Sequence, residues 1–87
     1  MIERKRRYSK AEFASRGIAW HKKLASSLPE VDWHKFIAID IETGEFELDA
    51  NEMTAAARLR KRLPDPQIWL VSAETGYLDR FGAGELA

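Results

Sequence analysis

The 87-residue chain predicts an α+β domain of order α-β-β-α-β-β, a small antiparallel or mixed sheet packed by two helices. Three patterns carry this expectation. Two segments open with helix-capping residues and continue with apolar residues at helical spacing. Two runs rich in isoleucine, valine and aromatic residues lie between turn signals. The triplet Glu-Thr-Gly follows each run, at 42–44 and again at 74–76.

Ser9 with Glu12 forms an S-x-x-E capping box, and Tyr8 with Phe13 takes the flanking staple positions. The helix is expected to run to about Ser27, because Pro29 disfavours helical geometry at Leu28. Phe13, Gly17, Trp20, Leu24 and Leu28 recur on its inner stripe, with Gly17 allowing close approach. Residues 1–8 are expected to form a loose basic arm in front of it, 9–82 the domain, and 83–87 a frayed tail. In residues 35–41, Ile37, Ile39 and Ile41 share one strand face. Glu42-Thr43-Gly44 turns the chain, and Phe46 and Leu48 alternate with glutamates on the return. Asp49-Ala50-Asn51-Glu52 reads as a second capping box, with Leu48 and Met53 as its staple. The second helix is expected from about Ala50 to Arg62, with Met53, Ala56, Leu59 and Leu63 inward. The unbroken apolar run 67–71 reads as a strand central in the sheet, and 77–81 as a short last strand. The recurrence of Glu-Thr-Gly after 32 residues raises the question of an internal duplication.

Composition narrows function by exclusion. There is no cysteine, so disulfides, thiolate metal sites and cysteine nucleophiles are out. No apolar run suffices for a membrane span or a signal-peptide core, which gives the expectation of a cytoplasmic protein. Net charge is zero, yet the charges are segregated. Residues 1–35 carry nine basic and four acidic side chains, 36–57 none and six, 58–63 four and none, and 64–87 one and four. Such blocks favour matching patches on a partner or on another copy.

Chemical motifs are sparse. Asp40 and Glu42, two apart at the end of a strand, point to one side as a divalent-metal pair would require. Asp40-Ile41-Glu42-Thr43-Gly44 thereby resembles the first motif of DnaQ-like 3′–5′ exonucleases, but the other carboxylates of that family have no counterpart here. The competing expectation places the pair on the solvent face of a hairpin. His21 and His34, each after a tryptophan, lack zinc-site spacing and read as surface histidines. No nucleophile elbow or phosphate loop is present. The reading is a non-enzyme without a cofactor, a catalytic residue, a metal or an evident small-molecule substrate.

Interaction is the role that remains. Trp20, Leu24, Trp33, Trp69 and Tyr77 are the candidate partner-binding residues, for a protein partner or a homodimer. The runner-up is nucleic-acid contact through Arg4, Lys5, Arg6 and Arg7. The segment 36–49, with Arg58-Leu59, Pro64-Asp65, residues 67–71 and Arg80-Phe81-Gly82, resembles short, mostly uncharacterised bacterial antitoxin-like proteins. The resemblance departs at 72–76. It implies a bacterial protein-binding module and no catalytic residue.

Overall fold

The computed structural model describes residues 8–77; of the expected basic arm (1–8) and last strand (77–81) only Tyr8 and Tyr77 are among them, Tyr77 outside any strand, and the expected tail 83–87 lies outside them. Within that span the chain runs α1 (Lys10–Ala25), a single 3-10 turn (Glu30–Asp32), β1 (Phe36–Asp40), β2 (Phe46–Asp49), α2 (Glu52–Arg62) and β3 (Ile68–Ser72). The three strands form one antiparallel sheet of order β2-β1-β3, so β1, and not β3, is the central described strand. The unbroken apolar run of β3 has another cause: both faces of the sheet are covered, so neither needs polar residues.

Strand alternation divides the core into two halves. Ile37, Ile39, Ile41, Trp69, Val71 and Ala73 face α1 and pack with Phe13. Ala38, Ile68 and Leu70 face α2 and pack with Ala55, Ala56 and Leu59. On the first face α1 approaches the sheet closely at Gly17. A Cβ there would lie inside the contact radius of the Trp69 indole, at Cγ, Cδ2 and Cε2. Phe13 meets the same indole edge-on, with ring centroids 5.6 Å apart.

The helix boundaries correct several expectations. Ser9 caps α1 by accepting from the Glu12 amide at 3.1 Å, but the Glu12 carboxylate turns to Arg16 instead of completing the box. The helix ends at Ala25, with Ser26 as its cap, short of Ser27. The start of α2 moves from Ala50 to Glu52, because Asn51 is the residue that caps it, accepting from Thr54 N–H at 3.0 Å. Asp49 instead accepts from the Asn51 amide. Ala56 and Leu59 face inward as expected, but Ala55 shares their buried face, and Met53, expected inward, lies outside it and is 54% exposed.

The repeated triplet has a structural counterpart. β1 and β3 are 32 positions apart throughout, and their pairing is centred on Ala38 opposite Leu70. Each strand passes into a four-residue loop with one hydrogen-bond pattern. Gly44 N–H donates to Asp40 O and Asp40 N–H to Glu45 O; Gly76 N–H donates to Ser72 O and Ser72 N–H to Tyr77 O. Gly44 and Gly76 both take positive φ, 83° and 78°, which side-chain-bearing residues adopt only at a cost. Ile41 N–H to Gln67 O and Ala73 N–H to Lys35 O, both 3.0 Å, extend the ladder equally at its two ends. The strand–loop segments are thus related by a local two-fold axis through the sheet.

The Gly17 contact gives a prediction whose sign is diagnostic. In an open helix, Gly→Ala stabilises by up to about 1 kcal/mol. Here Gly17→Ala is expected to destabilise by about 1–3 kcal/mol through overpacking against Trp69, measured by urea unfolding.

Candidate functional site

Asp40 lies at neither of its expected positions. Its side chain is 4% exposed, away from solvent, and its oxygens are occupied by donors of the protein itself. Gln67 N–H donates to Oδ1 at 3.0 Å, Thr43 Oγ1–H to Oδ2 at 2.9 Å, and Glu42 N–H to Oδ1 at 3.3 Å. This carboxylate ties the first loop to the entry of β3. Glu42 is exposed and accepts from the Tyr8 hydroxyl at 3.2 Å. Partial desolvation and that bond to a carboxylate hold the Tyr8 phenol above its ordinary pKa. Among the described residues, no three or more His, Asp or Glu side chains gather as a metal site would require.

The charge blocks meet within the molecule. Arg62 donates to Glu45 and Glu47, both at 2.6 Å, and Arg58 pairs with Asp49 at 3.0 Å. The two carboxylates hold the Arg62 guanidinium above its usual pKa. The same arginines donate to strand carbonyls, Arg62 to Phe46 O at 3.0 Å and Arg58 to Leu48 O at 3.3 Å. Those carbonyls belong to the outer side of β2, so α2 covers an edge that would otherwise accept another strand. The acidic block 36–57 and the basic block 58–63 therefore serve each other.

Trp20 and His21, consecutive on α1, each secure one of the two symmetry-related loops. Trp20 Nε1–H donates to Ile41 O at 2.8 Å, and His21 Nε2–H, the tautomer a carbonyl partner requires, to Ala73 O at 2.8 Å. Ile41 and Ala73 are themselves 32 residues apart. Trp20 also covers Gly44, and His21 covers Gly76, closely enough that a Cβ would meet the rings at 2.5–2.9 Å and 2.9 Å. His21 is thus half-buried and structurally engaged, in contrast to the expected surface histidine, whereas His34 is exposed.

The seam between α1 and residues 73–77 is the candidate interaction site. At one end a cleft of about 250 Å³ is lined by Ile18, His21, Lys22, Trp69, Gly76 and Tyr77. At the other, a second of about 310 Å³ is lined by Ala25, Trp33, Ala73 and Glu74. Large apolar side chains stand exposed along it: Ile18 at 49%, Trp33 at 40% and Tyr77 at 63%. Val31, two residues before Trp33 on the adjoining 3-10 turn, is also exposed.

The five expected partner-binding residues divide accordingly. Trp33 and Tyr77 lie on the seam. Trp20 and Leu24 are half-buried and pack against the α1-facing core. Trp69 is 1% exposed and belongs to that core, forming the floor of the first cleft. Its Nε1–H has no hydrogen-bond partner among the described residues, a desolvation cost of about 1–3 kcal/mol accepted for the packing of the ring. Ile18 and Glu74 were missed by sequence reasoning, because only the approach of α1 to the second loop brings them together. Arg4, Lys5, Arg6 and Arg7 lie outside the described residues.

Two outcomes follow. Asp40→Ala is expected to lower stability by about 2–4 kcal/mol in urea unfolding, since it strands the Gln67 amide and removes charged hydrogen bonds. Replacing Arg58 and Arg62 together by Ala should leave stability to urea little changed, because the ion pairs are exposed, yet promote concentration-dependent association through the uncovered β2 edge, measured by light scattering.

No family model, curated protein or solved structure matches this chain.

Proposed function

We propose that the chain is a non-enzymatic protein-interaction module, of the antitoxin-like kind its sequence resembles, which binds through the seam between α1 and residues 73–77. The observation that supports this most is that Ile18, Trp33 and Tyr77, all large, apolar and exposed, line two clefts that flank the His21–Ala73 hydrogen bond between α1 and the second loop. Scattered apolar residues are ordinary on a protein surface; a clustered set rimmed by charge is a feature of interfaces. The seam is also firmly held. The His21 bond to Ala73 O, the packing of His21 on Gly76 and the buried Trp69 fix α1 against the loop, which lowers the ordering cost of binding. The opposite side of the molecule differs, since the β2 edge is capped by arginines.

A second reading, nucleic-acid contact, draws on Lys10, Lys22 and Lys23 of α1, which have no ion-pair partner among the described residues, and on the basic arm that precedes them. No helix among the described residues is long and apolar enough to cross a membrane.

Site-specific photocrosslinking in the native cell separates the readings. With a benzophenone amino acid replacing Tyr77 or Trp33, crosslinks to protein are expected, while the same group replacing Met53, exposed on α2, gives none. Crosslinks to nucleic acid at 77 and 33, or equal protein crosslinking at 53, would contradict the interface.

A further inference from the structure

We infer that the occupant of this seam is the same seam of a second copy, joined in a two-fold symmetric dimer; the inference rests on the seam being an interface. The distribution of charge along the seam points to this occupant. Among the described residues, Glu30 and Glu74 are the carboxylates left without an ion pair or a side-chain hydrogen bond. Glu74 lines the Trp33 end, and Glu30 stands on the 3-10 turn beside Val31. At the other end Lys22 lines the cleft with Ile18 and Tyr77, likewise without an ion-pair partner. The seam thus carries exposed apolar side chains at both clefts, with Lys22 at one and Glu74 at the other.

A two-fold interface requires a surface complementary to itself, so that residue i of one copy meets j of the other while j meets i. A strip with opposite charges at its ends meets that condition when it is turned through 180°. Lys22 of each copy then faces Glu74 of the other, and the Ile18–Tyr77 end of each packs on the Trp33 end of its mate. A uniformly basic seam would have pointed to an anionic partner, and a uniformly acidic one would have opposed self-pairing. Among the described residues, the acidic hairpin and the basic end of α2 are less available to a second copy, because Glu45, Glu47 and Asp49 are already held by Arg58 and Arg62 within one chain.

Charge reversal tests the pairing in the full chain. By sedimentation equilibrium the wild type is expected at twice its 10.0 kDa mass. Lys22→Glu and Glu74→Lys should each weaken the dimer roughly ten-fold or more, because each creates two symmetry-related like-charge contacts. The double variant carrying both reversals should recover to within about three-fold of the wild type, the signature of a direct pair. Both positions are exposed, and circular dichroism checks that each variant is folded. A wild type that stays monomeric to about 100 μM overturns the inference, as does a dimer indifferent to both reversals or unrescued by the double variant. The two readings fail separately. Crosslinks from position 77 to a different protein, found with a monomeric chain, would preserve the seam as an interface while removing the dimer.

Discussion

The close contact between Gly17 and the Trp69 indole sets the position of everything on the α1 side of the sheet. Because no side chain intervenes, α1 lies low enough for Phe13 to meet the indole edge-on. It also lies low enough for Trp20 and His21 to reach carbonyls in two different loops. Were the helix raised by the width of a methyl group, both hydrogen bonds would lengthen and the cleft between Ile18 and Tyr77 would open. Trp69 leaves its own N–H without a partner among the described residues in this arrangement. The edge-on packing with Phe13 and the burial of a large ring against β1 and α1 offset that loss.

A local two-fold axis underlies this design. The β1 and β3 strand–loop segments repeat one backbone pattern at an interval of 32 residues, and α1 answers each loop with a different side chain. The first loop is closed from inside by the Asp40 carboxylate and sealed by Trp20. The second has Ser72 in place of Asp40 and His21 in place of Trp20, and it borders the clefts of the seam. The departure from symmetry thus coincides with the candidate interface. The charges follow the same division: the hairpin and α2 neutralise each other, and Lys22, Glu74 and Glu30, on the seam and the turn beside it, remain available.

Much of the fold was legible in residue order, for physical reasons that can be named. Two-residue alternation placed Ile37, Ile39 and Ile41 on one face, and the same parity puts Trp69, Val71 and Ala73 with them. Ser9 marked the start of α1 because a hydroxyl beside free amides is a local interaction. The start of α2 was less legible, since Asp49 and Asn51 are both good caps and both are used, one for the turn and one for the helix. The alanine-rich body of that helix then gave too little hydrophobic contrast to separate Ala55 from Met53. Asp40 looked like chemistry because a carboxylate ending an apolar strand is unusual. Its partner, the Gln67 amide, is 27 residues away in sequence, and no local pattern reveals it. The seam was half legible: Trp33 and Tyr77 stood out as aromatics, whereas Ile18, Lys22 and Glu74 become neighbours of the site only through tertiary packing.

The seam and both loop contacts depend on α1 lying directly on Trp69, and proton NMR tests that contact most directly. The Gly17 α-protons, placed over the indole ring, should be shifted strongly upfield and show nuclear Overhauser contacts to the Trp69 ring protons. Gly17 α-protons at ordinary helical shifts, without contacts to that ring, would mean that the helix does not rest on the sheet as described, and the geometry of the seam would fall with it.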